Sequence, residues 1–118
     1  MGNVVKGKSF AFAVRIVNLY KHLCEKKKEF VLSKQLLRSG TAIGALAREA
    51  EQAESKADFV HKMAIALKEA NETEYWLELL HVTKYLETKE FSSIQEDVAE
   101  LLKLLTSIIN TSKQRMAK

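Results

Sequence analysis

A chain of 118 residues with no proline, four glycines and one cysteine has the size of a single domain, expected over residues 1–118. With 47% apolar and 29% charged residues it is too apolar to be disordered, and no run of about 18 uncharged apolar residues offers a membrane span. A lone cysteine closes no internal disulfide, which suits a reducing cytoplasm, and no signal peptide is legible.

The missing prolines, with Ala, Leu, Glu and Lys abundant, predict helix throughout. Phe10, Ala13, Val17, Tyr20 and Cys24 share one helical face, in a first helix over about residues 8–26. Lys26-Lys27-Lys28-Glu29 has no apolar member and reads as a turn. A second helix, about 30–53, has Leu36, Gly40, Ile43, Ala47 and Ala50 on its stripe. A mid-helix Gly costs about 1 kcal/mol relative to Ala. Gly40 and Gly44 therefore suggest a close approach inside the fold, under Trp76 or Phe59.

Ser55-Lys56-Ala57-Asp58 has the form of a capping box and opens a third helix over about 56–86. Glu87-Thr88-Lys89-Glu90 is the next polar break. Ser93-Ile94-Gln95-Glu96, a second capping box, opens a fourth helix over about 93–115, with Ile94, Val98, Leu101, Leu105 and Ile108 on its face. Short connections make neighbours antiparallel, so the expected class is all-α, an antiparallel up-down-up-down four-helix bundle.

Two helices have more apolar surface than a lone bundle needs. The first adds Phe12, Ile16, Leu19 and Leu23 to its first stripe. The third has Phe59, Met63, Ala66, Ala70, Thr73, Leu77 and Leu80 on one stripe and Ile65, Glu69, Glu72, Trp76 and Leu79 on another. A second apolar face calls for a second partner, and a homo-oligomer is expected. Glu69 and Glu72 near such a seam need partners, for which Arg38 and Arg48 on the second helix are the candidates, fixing register or subunit orientation.

No constellation for catalysis, metal or cofactor binding is legible, so neither an enzyme nor a cofactor is expected. Glu78-Leu79-Leu80-His81 has the Glu-x-x-His spacing of di-iron bundles. The similar Asp58-Phe59-Val60-His61 lies on the same helix about 30 Å away, so the two cannot share a metal. His22 reads as a solvated histidine and Cys24 as a small core residue.

The net charge of +4 hides a strong polarity. Residues 1–38 hold nine Lys/Arg against two Glu (+7), residues 39–101 six against thirteen acids (−7), and residues 102–118 four against none (+4). In an up-down bundle Lys26, Lys27 and Lys28 mark one end, while Lys6 and Lys8 join Lys113, Arg115 and Lys118 at the other. Repeated around an oligomer, each cluster becomes a basic ring suited to RNA or a nucleoprotein. No aromatic residue interleaves with these lysines, so base stacking is not suggested. The competing reading is a protein-interaction scaffold using the acidic middle segment.

Gln35-Leu36-Leu37-Arg38-Ser39-Gly40-Thr41-Ala42-Ile43-Gly44-Ala45 is followed by Arg48-Glu49-Ala50 and Lys56-Ala57-Asp58-Phe59. Then comes Ala66-Leu67-Lys68-Glu69-Ala70-Asn71-Glu72-Thr73-Glu74-Tyr75-Trp76-Leu77. With Ala13-Val14-Arg15-Ile16, these stretches resemble the bacterial 23S ribosomal RNA intervening-sequence proteins over most of the chain. The resemblance implies a small four-helix bundle that assembles as a ring of five, with no established catalytic residue or cofactor. It also implies kinship with accessory factors of diversity-generating retroelements, which associate with a reverse transcriptase and nucleic acid. This chain departs from the family pattern at Ala42, Leu46 and Ala47, where Ser, Asn and Ile or Val are more usual.

Overall fold

The computed structural model describes residues 2–117 and places them in four helices: α1 (Gly2–Glu25), α2 (Leu32–Glu51), α3 (Lys56–Val82) and α4 (Thr88–Ala117). Ion pairs fix the directions. Lys6 near the start of α1 meets Glu51 at the end of α2, and Lys62 at the start of α3 meets Glu49. Lys8 meets Glu100 while Arg15 meets Asp97, so α1 and α4 also run oppositely. The result is the antiparallel up-down-up-down bundle, a rod of 51 × 21 × 19 Å in which each helix packs on the next and α1 touches α4 least.

Each helix buries a stripe at threes and fours, the period that holds one face toward a common axis. Leu36, Gly40, Ile43, Ala47 and Ala50 of α2 are all buried, as are Ile94, Val98, Leu101, Leu105 and Ile108 of α4. In α3 the inner stripe is Met63, Ala66, Ala70, Thr73, Leu77 and Leu80. In α1 the inner face is the stripe of Phe12, Ile16 and Leu23, joined by Val5 and Ser9. The Phe10 stripe is left at the margin, and Cys24 is half-buried beside Ser33 rather than in the core.

The two glycines pack against α1, not under Trp76 or Phe59. A Cβ on Gly40 would lie 2.8 Å from Ile16 Cγ1, and one on Gly44 would lie 3.3 Å from the Ser9 carbonyl oxygen. The buried hydroxyls of Ser39 and Thr73 share a 2.9 Å hydrogen bond across α2 and α3, and Thr73 also donates to the Glu69 carbonyl at 2.7 Å.

Helix ends differ from the sequence reading in instructive ways. The Ser55 cap forms, its Oγ accepting from Asp58 N–H at 3.0 Å, while the return bond of the box is shifted by one residue: Asp58 Oδ2 accepts from Glu54 N–H at 3.1 Å. The Ser93 box does not, because α4 begins at Thr88 and Ser93 lies inside it, its hydroxyl accepting from Arg15 at 3.0 Å. α1 starts at Gly2 rather than near 8, since Val5 is already a core residue. α3 stops at Val82, short of 86, because Lys84 turns left-handed at φ 71° and Tyr85 N–H closes on the Leu80 carbonyl. α2 runs from Leu32 to Glu51, inside the expected 30–53.

Candidate functional site

The turn between α1 and α2 is built around an acid that sequence reasoning passed over. Glu29 is 8% exposed. Its Oε2 accepts from the N–H groups of Val31 and Leu32 at 3.1 Å, its Oε1 from Ser33 N–H at 2.6 Å, and its carbonyl from the Ser33 hydroxyl at 2.8 Å. It therefore satisfies the free donors at the start of α2 and places a negative charge at the positive end of the helix dipole. Burial pushes its carboxyl up, but the backbone donors of Ser33, Leu32 and Val31 outweigh burial and hold it below the usual carboxylate range.

With Glu29 turned inward, exposed Glu25 is the one acid left beside Lys26, Lys27 and Lys28 in the sequence, and it pairs with none of them. Among the described residues none of the three, nor Lys21 or Lys34 beside them, takes part in an ion pair. Lys28 holds a left-handed conformation at φ 55°, where Gly is the usual residue, and Glu29 N–H reaches back to the Leu23 carbonyl at 3.0 Å. Lys84, at φ 71° after α3, lies at the same end of the bundle. Sequence reasoning missed it because the apolar pattern runs through the turn into buried Leu86. An aromatic does stand among these lysines: Phe30 is 58% exposed, followed by Val31 at 72%.

The opposite end is less basic than expected. Lys6 is 3.2 Å from Glu51 and Lys8 is 3.1 Å from Glu100, which leaves Lys113 and Arg115 exposed on the last turns of α4. Lys118 lies outside the described residues.

Along α2 and α3 the structure gathers Arg38 with Glu69 and Glu72. The guanidinium is 3.2 Å from Glu69 and bonds directly to Glu72, which also accepts from Trp76 Nε1 at 3.0 Å. The indole N–H lowers the Glu72 carboxyl, partial burial opposes it, and Arg38 lowers it further. In return the bond to Glu72 raises the Arg38 guanidinium, against partial burial and with Glu69 assisting. Ile65, Trp76 and Leu79 lie half-buried on the same stripe. Arg48 does not join them. Its guanidinium sits 5.3 Å over the ring of Phe10, on a groove of about 300 Å³ lined by Ala13, Thr41, Gly44 and Ala45.

Asp58, His81 and His22 lie apart from these clusters. Asp58 is held by the α3 cap, and His81 stacks on Phe91 at 4.2 Å. His22 borders a groove of about 380 Å³ between α1 and α4, with Arg15, Asn18 and Glu90.

A small four-helix bundle with a lysine-rich end and a half-buried outer stripe is thus defined. The profile of the 23S rRNA-intervening sequence protein family matches residues 2–107, and the chain belongs to that family. It is similar to a protein of unknown function from the S23 ribosomal protein family of Bacteroides thetaiotaomicron, solved at 1.70 Å. The two share 65% identity with a TM-score of 0.91, over 92% of this chain and 97% of that one. No curated protein matches the chain.

Proposed function

We propose that this chain is a non-catalytic, self-associating bundle of the cytoplasm that binds RNA, alone or within a nucleoprotein, through the lysines at the ends of its helices. The observation that carries the reading is the α1–α2 turn, where Lys26, Lys27 and Lys28 form no ion pair among the described residues and Glu29, the acid after them, is folded inward as a helix cap. Unpaired lysines release counterions from a phosphate backbone on binding; paired ones first give up a partner. Self-association rests on the half-buried Ile65, Trp76 and Leu79 of α3 and on Phe10 and Val14 of α1, which are 55% and 46% exposed. A ring of five is the assembly that the resemblance implies, and it would multiply each lysine cluster fivefold.

The scaffold reading is weaker, because much of the acidic middle segment is already engaged within the chain. Glu69 and Glu72 bind Arg38, Glu49 binds Lys62, Glu51 binds Lys6 and Glu74 accepts from Gln95. RNA binding measured across a salt series tests the choice. Binding is expected to weaken steeply with salt, and changing Lys26, Lys27 and Lys28 to Glu should abolish it. No binding to RNA at low salt would contradict the RNA reading and leave the scaffold as the alternative.

A further inference from the structure

We propose that Phe30 is a base-stacking platform and that the α1–α2 turn is a site for single-stranded, rather than duplex, RNA. The inference rests on the RNA-binding reading above and specifies its ligand. Three observations converge on the turn. Phe30 is 58% exposed, although α1 and α2 bury larger apolar stripes around it. The backbone that presents it is fixed, because the Glu29 carboxylate binds the N–H groups of Val31, Leu32 and Ser33 immediately after it. Lys26, Lys27 and Lys28 precede it and Lys34 follows, none in an ion pair among the described residues.

An exposed ring carried on a capped helix start and flanked by lysines without ion pairs is the pairing that single strands use: bases stack on the aromatic face while lysines follow the phosphates. A duplex keeps its bases stacked on one another and offers the ring nothing but backbone. A second copy meeting turn to turn would bring like charges together, and the faces assigned to self-association above are those of α1 and α3, not this turn. A membrane is a poor one too, because two apolar side chains on a short turn lack the continuous face of an interfacial helix.

The test compares a short single-stranded polyuridine RNA with a duplex RNA of equal length, on wild type, Phe30→Ala, Phe30→Trp and the variant with Lys26, Lys27 and Lys28 changed to Glu. Phe30→Ala is expected to weaken single-strand binding by about 5- to 150-fold, the range of one lost stacking contact, and to leave duplex binding unchanged. Phe30→Trp should retain the affinity and show quenching of indole emission that wild type, with Trp76 alone, lacks. Unchanged melting of Phe30→Ala separates the effect from folding. If Phe30→Ala binds the single strand as tightly as wild type while the lysine variant fails, stacking is refuted and the RNA reading stands. If no variant or wild type binds either RNA, both fall together. Capture of wild type but not Phe30→Ala by phosphatidylserine vesicles, with RNA binding untouched, would make the turn a membrane contact and overturn the inference.

Discussion

Single residues at the helix ends set both the stability and the charge of the lysine-rich end. Glu29→Ala should cost about 1–2 kcal/mol in urea denaturation, as the loss of a cap with several donors. The Glu29 carboxyl is lowered by folding, so its contribution is complete above the unfolded pKa of about 4.3 and fades as pH falls through the lower folded value. Stability of Glu29→Gln should accordingly fall less between neutral and acid pH than that of wild type. Lys28, left-handed at φ 55°, has the opposite sign: Lys28→Gly should raise stability by about 1 kcal/mol and weaken RNA binding, a divergence that plain surface changes do not give. Two other glycines make a similar contrast. Nothing lies within 4 Å of a Cβ on Gly7, so Gly7→Ala should stabilise by about 0.5–1 kcal/mol. Gly40→Ala meets the branched carbons of buried Ile16 at 2.8 and 2.9 Å and should destabilise by about 1–3 kcal/mol.

Among the elements, α2 and α4 were readable because each has one dominant apolar stripe, and that stripe is buried. α1 was not, since its two stripes are equally regular and only the approach of Gly40 to Ile16 decides which turns inward. The start of α4 was misread for a different reason. Thr88, Lys89 and Glu90, after Glu87, form a solvated first turn, and a run of polar residues looks the same whether it breaks a helix or faces water. Of the two partners expected for Glu69 and Glu72, Arg38 pairs with them and Arg48 does not, because Arg48 turns toward α1 and lies over Phe10. Glu29 and Phe30 stayed hidden, since only the folded turn shows the acid pointing inward and the ring outward. With Arg38 half exposed, the clamp between α2 and α3 is screened by solvent. Glu72→Gln should cost no more than about 1 kcal/mol in the isolated bundle. If the clamp also orients neighbouring copies, the same change should lower the solution mass at a given concentration. An unchanged mass would confine it to the α2–α3 contact.

For the whole molecule, the charge is arranged rather than merely summed. Eight of the thirteen acids of the middle segment are paired, capped or hydrogen-bonded, with Glu54, Glu78, Glu87, Glu90 and Glu96 the exceptions, while the lysines after α1 form no ion pair among the described residues. The net +4 therefore hides a local cluster of lysines at the α1–α2 turn. The apolar surface is uneven in the same way: the inner stripes are buried, yet Phe10, Val14 and Tyr75 are exposed and Ile65, Trp76 and Leu79 half covered. Those faces and the multiplied lysine clusters depend on one claim, that the chain does not work alone. Its mass in solution, by sedimentation equilibrium across a concentration series, tests that claim most directly. The expected result is a stable assembly near 67 kDa, five times the 13.4 kDa of one chain. A species that stays at 13.4 kDa at every concentration would contradict the account, leaving the outer stripes without a partner and the lysines without a ring.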